Sequence, residues 1–255
     1  MRLHVVSDVH GASDALARAA DGSDLFICLG DLVLFVDYDD MTQGIFPQIF
    51  GAENAARFVE LRTQGRYAQA REYGDSLWAG KGADRRAVLD AAVRDQYAEL
   101  FASMPEPALL TYGNVDIPSM WPEFLRPGHR VLDGEAVEVD GVRIGFVGGG
   151  LISPMRTPFE ITDEEFAAKV EALGEVDILC SHIPPSIPEL TYDTVARRFE
   201  RGSSALLAAI VATQPSIVLF GHVHQPLARR TRIGRTECIN VGHFRGRRTP
   251  FVLDV

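Results

Sequence analysis

Seven residues of types that bind metal ions occur in this sequence, each shortly after an apolar segment. They are Asp8, His10, Asp31, Asn114, His182, His222 and His224, and they include four of the seven histidines. Imidazole, carboxylate and amide donors without a thiolate suit Mn, Fe or Zn better than they suit a structural cysteine site. Each oxygen of a carboxylate can bind a different ion, so the set could hold two divalent cations. Paired cations can share a hydroxide that attacks a phosphoryl group.

Each of these short motifs also has an ordinary structural interpretation. The G-D and G-N pairs are common turn dipeptides, and a single His182 could be a hydrogen-bonded core residue. The pair His222 and His224 is more specific, because alternate residues leaving a strand can direct both imidazoles at one ion. The occurrence of all five motifs in one chain favours a single joint site over five separate coincidences.

The candidate ligands follow segments that have the pattern of buried β-strands. The predicted strands are Arg2–Ser7, Leu25–Leu29, Ala108–Tyr112, Val137–Val139, Arg143–Val147, Ile178–Cys180, Ile217–Phe220, Ala228–Ile233, Thr236–Val241 and Phe251–Val255. Asp140-Gly141 predicts a tight hairpin turn. The β–loop–α–β start of the chain favours parallel strand pairing. Ligands of open α/β sheets bind beyond the carboxyl ends of the strands, so we expect five strand ends to bring these side chains together.

Between Val36 and Met104 the strand pattern gives way to helical periodicity. The helices predicted there are Ala52–Thr63, Arg66–Trp78 and Arg85–Ala102. Because a structureless loop of this length would be unusual, residues 36–104 are predicted to be a helical insertion. Outside it, helices are predicted at Ser13–Ala20, from the Thr162–Glu165 capping box to about Leu173, and at Ser203–Thr213.

The composition is that of a globular chain. It has 255 residues, a net charge of −10 and 46% hydrophobic residues, which exclude a mainly disordered protein. The acidic balance disfavours nucleic acid and an anionic membrane as partners. Ser203–Ala228 contains no charged residue, but Pro215 and Gly221 interrupt it, so no membrane span is predicted. Isolated cysteines and the absence of a signal-peptide pattern favour a cytoplasmic location.

The ordered motifs D-x-H, G-D, G-N, a single H and G-H-x-H resemble those of the calcineurin-like metallophosphoesterase superfamily. The resemblance covers residues 1–35 and 108–242. It implies an α/β fold, a four-layer αββα sandwich of two mixed sheets with the metal site at the carboxyl ends of the strands. We expect a single domain over residues 1–255, in which the helical insertion 36–104 forms a cap, a lid or an oligomer face.

The resemblance also implies a division of the ligands between two divalent cations (Mn, Fe or Zn). One cation would be held by Asp8, His10, Asp31 and His224, and the other by Asp31, Asn114, His182 and His222. Asp31 would bridge the two cations. The implied activity is hydrolysis of a small phosphorylated molecule by a metal-bridging hydroxide, with a phosphodiester preferred to a monoester. The residues expected to act in catalysis are Asp31, Asn114 and His222, and those expected to contact substrate are Asn114, Arg156 and His243.

Two departures from the family pattern concern specificity. Many members have a histidine after the motif asparagine that assists the leaving group or contacts phosphate, whereas this chain has Val115, which cannot donate a proton. Protein Ser/Thr phosphatases continue the G-D motif with Asp-Arg-Gly, whereas this chain continues with Leu32–Phe35. A phosphoprotein is therefore not the expected substrate.

Other functions remain open from the sequence. A nuclease or a nucleotide or lipid pyrophosphatase would use the same metal site, although the net charge of −10 disfavours a long nucleic acid. A non-catalytic, protein-binding scaffold could keep the same fold. The helical insertion could also mediate a homo-oligomer.

Overall fold

The computed structural model describes all residues, 1–255, as two compact units. The first unit contains Met1–Leu32 and Leu100–Val255, and the second contains Val33–Glu99. All strands lie in the first unit, whereas the second unit is helical. The last helix that starts in the second unit, Arg85–Ser103, extends into the first.

Strands and helices have the following bounds. The strands are β1 (Arg2–Val6), β2 (Leu25–Cys28), β3 (Ala108–Leu110), β4 (His129–Val131), β5 (Glu135–Val139), β6 (Val142–Val147), β7 (Gly150–Leu151), β8 (Glu160–Ile161), β9 (Ile178–Ser181), β10 (Tyr192–Asp193), β11 (Arg198–Phe199), β12 (Ile217–Phe220), β13 (Arg230–Ile233), β14 (Thr236–Asn240) and β15 (Phe251–Asp254). The helices are α1 (Ser13–Leu16), α2 (Ile45–Phe50), α3 (Ala52–Thr63), α4 (Tyr67–Lys81), α5 (Arg85–Ser103), α6 (Asp163–Ala172), α7 (Pro188–Thr191), α8 (Ser204–Thr213) and α9 (Phe244–Arg247). A 3₁₀-helix covers Pro118–Glu123.

The first sheet has five strands in the order β15-β1-β2-β3-β4. Strands β1 to β4 are parallel, and β15 is antiparallel to β1 at one edge. Parallel strands end at the same side of a sheet, so the residues that follow β1, β2 and β3 lie at one side. These residues include Asp8, Asp31 and Asn114.

The second sheet has six strands in the order β13-β14-β12-β9-β6-β5. The four central strands are parallel, and the edge strands β13 and β5 are antiparallel to their neighbours. The turn between β5 and β6 has left-handed backbone at Asp140 (φ 50°) and Gly141 (φ 78°), as the predicted tight hairpin requires. His182 and His222 follow the carboxyl ends of β9 and β12.

The two sheets share an apolar core. Along the central strands, every second residue faces this core. In β9, Ile178 and Cys180 face the core between the sheets, whereas Leu179 faces the opposite side. On that opposite side, α6 and α8 contribute Phe166 and Leu206 to a second apolar cluster. Two mixed sheets together with helices confirm the predicted α/β class.

The second unit has its own small apolar core. It is formed by Val36, Phe46, Ala55 and Val59. The rings of Phe46 and Phe58 stack with centroids 4.4 Å apart. Helix α2, which contributes Phe46, was not predicted from the sequence. It is only six residues long and contains Pro47, which is tolerated because it lies in the first turn.

Three further details differ from the sequence predictions or complete them. The first helix was predicted over Ser13–Ala20 but ends at Leu16, because i→i+3 bonds such as Ala19 N–H to Leu16 O tighten the chain into turns (3.0 Å). Strand β4 was not predicted, because its residues His129 and Arg130 leave no apolar run of the kind that marks β3. No helix is long and apolar enough to span a membrane, and Ser203–Ala228 forms α8 and β12 rather than one long helix.

Candidate metal centre

The loop after β1 and the loop after β2 are joined by backbone hydrogen bonds. Asp8 N–H donates to Gly30 O (3.0 Å), and His10 N–H donates to Asp31 O (2.9 Å). Asp8, His10 and Asp31 have left-handed backbone, with φ of 57°, 40° and 55°. Non-glycine residues adopt this conformation at a cost, and such strain is concentrated at functional sites. The hydrogen bonds between the two loops thus hold the backbone of these three residues in a conformation that non-glycine residues rarely adopt.

Close approach between loops depends on glycine at two of the motifs. A Cβ at Gly113 would overlap the Asp31 carboxylate, and a Cβ at Gly221 would overlap Ser7 and the Asp8 carboxylate. The glycines of the G-N and G-H-x-H motifs therefore allow the strand ends of the two sheets to meet around the aspartates.

Four of the candidate ligands form a group that we call the aspartate cluster: Asp8, His10, Asp31 and His224. His224 Nε2 lies 3.3 Å from Asp8 Oδ1, and His10 Nε2 lies 4.0 Å from the same oxygen. Asp8 Oδ1 is buried and makes no well-directed hydrogen bond. Burial disfavours its charge, but His224, His182 and His10 hold the pKa of Asp8 well below its usual value. An ionised, buried oxygen without a donor is suited to a cation.

The other three ligands form the amide cluster: Asn114, His182 and His222. Asn114 Oδ1 lies 3.0 Å from His182 Nε2 and 2.9 Å from His222 Nδ1. Three atoms that could each bind a metal ion therefore lie close together. His182 Nδ1 donates to Leu29 O (2.9 Å), which fixes the ring and directs Nε2 toward Asn114. A second hydrogen bond of this kind is a usual feature of metal-binding histidines.

Asp31 connects the rest of the aspartate cluster to the amide cluster. Its Oδ2 is 3.7 Å from His10 Nε2, and its Oδ1 is 3.5 Å from His182 Nε2. Burial would raise the pKa of Asp31, but the charges of His182 and His10 lower it to about 2. Burial lowers the pKa of His182, but Asp31 and Asp8 raise it to about 9. One ionised carboxylate thus faces both groups of candidate ligands, and the residues present fit the binding of divalent metal ions.

Comparison with known proteins identifies the family. A family model described as calcineurin-like phosphoesterase matches residues 1–226. The chain belongs to the calcineurin-like phosphoesterase family. A solved crystal structure with 14% sequence identity matches with a TM-score of 0.58, covering 95% of this chain and 91% of that chain, which shows similarity of fold alone. Comparison with curated proteins finds no match. Family membership and the His and Asp groups support a metal-dependent phosphoesterase.

Asp116 supports the phosphoesterase site without belonging to either cluster. It is fully buried, and its carboxylate accepts hydrogen bonds from the backbone N–H groups of Asp31 (2.8 Å), Leu32 (3.0 Å) and Gly113 (2.7 Å). Burial and the charge of Asp31 raise the pKa of Asp116 to about 7. The side chain joins the ends of β2 and β3, and so positions the two clusters relative to each other.

The loop between β7 and β8 contacts the candidate site through Thr157. Asn114 Nδ2 donates to Thr157 Oγ1 (3.0 Å), and Thr157 Oγ1 donates to Glu160 Oε1 (2.9 Å). Arg156 is exposed and has left-handed backbone (φ 52°), and no contact joins it to Asn114. The role of Thr157 could not be anticipated, because neither it nor Glu160 is part of a recognisable motif.

His243 lies beside the aspartate cluster. Its ring stacks on that of His224, with centroids 3.9 Å apart and planes at 5°, and its centroid is 5.8 Å from that of His10. Burial, His224 and His10 lower the pKa of His243 to about 3. The sequence prediction made His243 a substrate contact, and the structure brings it next to two candidate metal ligands, His10 and His224.

Proposed function

We propose that this protein is a dinuclear metal-dependent phosphodiesterase that hydrolyses a small phosphorylated molecule. The observation that carries the proposal is the position of Asp31, whose two oxygens face the aspartate cluster and the amide cluster separately. A carboxylate whose two oxygens face two separate groups of candidate ligands can be shared by a pair of cations.

The proposed mechanism assigns a task to each group of residues. Asp8, His10, Asp31 and His224 would hold one cation, and Asp31 with the three residues of the amide cluster would hold the other. When bound, the two cations lower the pKa of water and neutralise negative charge on the phosphoryl group. Since Nδ2 of Asn114 already donates to Thr157, the amide presents Oδ1 to the site. His222 is fixed by its backbone N–H, which donates to Asp8 Oδ2 (2.9 Å).

The proposed preference for a diester rests on the scarcity of cationic side chains directed at the candidate metal ligands. A phosphodiester is a monoanion, so it needs less compensating charge than the dianion of a monoester. Arg156 is exposed, and Arg245 donates to the carbonyl of His10 (2.8 Å). The positive charge of the site would therefore come mainly from the bound cations. Val115 offers no proton to the leaving group, which favours esters whose leaving group is already a weak base.

A hydrolysis screen of the metal-loaded protein tests the proposal. Purified protein would be stripped with a chelator, loaded with Mn²⁺, Fe²⁺ or Zn²⁺, and assayed with bis-p-nitrophenyl phosphate, p-nitrophenyl phosphate, cyclic nucleotides, dinucleotide pyrophosphates and single-stranded DNA. We expect kcat/KM to be highest for a small diester and to vanish after chelation. Faster hydrolysis of the monoester, of a pyrophosphate or of DNA would contradict the proposed substrate class. A wild-type protein that binds no cation would contradict the proposed metal-dependent activity and favour a non-catalytic scaffold.

The three cysteines support the cytoplasmic location that the sequence predicts. Cys28, Cys180 and Cys238 are all buried and unpaired. Burial raises the pKa of Cys28 to about 12, so the thiol stays protonated and unreactive. Such thiols are compatible with a reducing compartment.

A further inference from the structure

We propose that Arg198 binds the phosphoryl group of the substrate, as a further contact on the amide-cluster side of the site. The inference rests on the proposed function and deepens it, because it names a side chain that would select a phosphorylated molecule. Arg198 lies on β11, which pairs with β10 in an antiparallel hairpin over residues 192–199. Two of its neighbours in the chain carry the argument, and they are described first.

The β10–β11 hairpin is fastened to the segment that follows His224. Thr194 N–H donates to Gln225 O (2.9 Å), and Gln225 N–H donates to Asp193 Oδ2 (3.1 Å). Asp193 lies directly opposite Arg198 in the hairpin, and opposite residues of an antiparallel pair direct their side chains to the same face. Arg198 therefore lies on the face turned toward the segment that carries the G-H-x-H motif.

The loop between β7 and β8 is fastened to the amide cluster as well. Phe159 N–H donates to Asn114 O (2.9 Å), in addition to the side-chain bond from Asn114 to Thr157 (3.0 Å). Arg198 reaches this loop from the hairpin, since its Nη2 lies 3.8 Å from Met155 Sδ. The guanidinium thus connects two segments, one held by the amide cluster and the other held next to the G-H-x-H motif.

The neighbours of the Arg198 guanidinium make it suited to an anionic ligand. Its Nε donates to Glu200 Oε1 (2.7 Å), which fixes its orientation, and the two side chains are only 31% and 20% exposed. A thioether sulfur is a weak hydrogen-bond acceptor, whereas a phosphoryl oxygen forms short, charge-assisted bonds with a guanidinium. A phosphoryl oxygen would therefore be a stronger partner for Nη2 than the Met155 sulfur.

Glu200 lies within electrostatic reach of the amide cluster. Burial and the charge of His182 lower the pKa of His222, and the charge of Glu200 raises it in part. Because Glu200 also offsets the charge of Arg198, the pair offers a directed donor without adding net positive charge to the site. Such a contact suits a phosphodiester, which carries a single negative charge.

A purely structural tie between the hairpin and the β7–β8 loop would be a competing explanation for Arg198. A tie would stabilise the fold whether or not phosphate is bound, whereas a substrate contact would change the affinity for phosphate. The two explanations therefore differ in which measurement a substitution of Arg198 should move.

The variant Arg198→Gln separates them, because it removes the charge and the planar set of donors. The matched control is Arg201→Gln, which changes an exposed arginine on the same segment that pairs with Asp163 (2.9 Å). Binding of inorganic phosphate to the Mn²⁺-loaded proteins would be measured by calorimetry, together with metal content and thermal unfolding. We expect Arg198→Gln to bind phosphate about tenfold more weakly, as for one lost hydrogen bond between charged groups. Its metal content should be unchanged, and Arg201→Gln should match the wild type.

A second measurement uses the wild type alone and protects the test if Arg198→Gln does not fold. Phenylglyoxal modifies arginine side chains, and peptide mass spectrometry would compare its reaction with Arg198 and Arg201 in Mn²⁺-loaded protein, with and without inorganic phosphate. Slower modification of Arg198 in the presence of phosphate, with Arg201 unaffected, agrees with the inference. Equal modification of Arg198 in both conditions contradicts it.

The outcomes also separate this inference from the proposed function. If folded Arg198→Gln binds phosphate as tightly as the wild type, with or without a lower melting temperature, the inference is overturned. The proposed function then remains intact if the wild type binds two cations and hydrolyses diesters. Phosphate binding that depends on Arg198, without hydrolysis of any diester, would contradict the proposed function alone. A wild type that binds neither cation nor phosphate would overturn both.

Discussion

The amide cluster and the aspartate cluster differ in how far the protein alone completes them. In the amide cluster, Asn114 Oδ1 contacts both histidines, and His182 is fully buried and bonded to a backbone carbonyl. In the aspartate cluster, Asp8 Oδ1 has no well-directed partner, and the His224 side chain is 39% exposed. The amide cluster is therefore organised by side-chain hydrogen bonds, whereas the aspartate cluster is held by backbone hydrogen bonds between the loops after β1 and β2.

The first prediction removes the residue that the two clusters share. Asp31→Asn takes away the charge that both cations would share, so we expect kcat for a diester to fall on the order of 10³-fold, about 4 kcal/mol. Metal content should fall as well, and steady-state kinetics with Mn²⁺ together with elemental analysis would measure both effects. The exposed Asp21→Asn is the control. Near-native activity of Asp31→Asn would contradict a bridging role.

The second prediction concerns the link between the clusters. Asp116→Ala would leave the N–H groups of Asp31, Leu32 and Gly113 without their acceptor. We expect the free energy of unfolding to fall by about 3 kcal/mol, since each lost bond to a charged group costs about 1.5–3 kcal/mol and water will replace part of it. Urea denaturation of the metal-free protein would measure this change. A loss no larger than that of the exposed Asp21→Ala would show that Asp116 does not hold the two strand ends.

The third prediction tests the difference between the clusters directly. Without metal, Asn114→Ala should lower the free energy of unfolding by about 2 kcal/mol, because it leaves buried His182 without the amide oxygen that it contacts. His224→Ala should lower it less, because that side chain is partly exposed. Thermal unfolding with and without Mn²⁺ would compare them. If the two metal-free variants lost equal free energy of unfolding, the amide cluster would not be better organised by the protein alone than the aspartate cluster.

The fourth prediction is a pH dependence of metal binding. Burial lowers the pKa of His182, but Asp31 raises it to about 9, and the ring must be neutral to bind a cation. Affinity should therefore rise about tenfold per pH unit up to about pH 9, with about one proton released per cation in the amide cluster. Calorimetry in buffers of different ionisation enthalpy would count that proton.

The raised pKa of His182 affects the stability of the metal-free protein in the opposite direction, so that stability decreases as the pH rises. Because the pKa of His182 is raised on folding, its protonation stabilises the metal-free protein below pH 6.5, and this contribution is lost as the pH rises through about 9. Metal binding without proton release, and metal-free stability that is flat between pH 6.5 and 9, would contradict the assignment.

The smallest expected effect comes from the hydrogen bond that orients Asn114. Thr157→Val removes the acceptor of Asn114 Nδ2 and keeps the shape of the side chain. We expect kcat to fall about fivefold, which corresponds to about 1 kcal/mol, with unchanged metal content. Thr213→Val, whose hydroxyl donates to Ala209 O within α8, is the control. A change in metal content instead of kcat would show that Thr157 affects binding of the cation.

Much of the sheet unit could be predicted from the sequence. Ten of the fifteen strands, the hairpin at Asp140-Gly141 and the capping box at Thr162 were predicted, because apolar patterning and turn chemistry are local properties. Strands β4, β7, β8, β10 and β11 and helices α2, α7 and α9 were missed, since elements of two to six residues are too short to show a clear period. Helix α1 ended early because its last turn tightens, which depends on the following loop rather than on helix propensity.

The sequence by itself determined which donors are present and the strand ends that carry them, because motif order and apolar patterning require only neighbouring residues. Tertiary structure decided which side chains outside the motifs join them. His243 reaches His224, and Thr157 reaches Asn114, only because loops from different strands are held together. Left-handed backbone at Asp8 and Asp31 is likewise stable only where hydrogen bonds across two loops offset its cost. Distances between residues far apart in the chain arise from packing, and no local pattern encodes them.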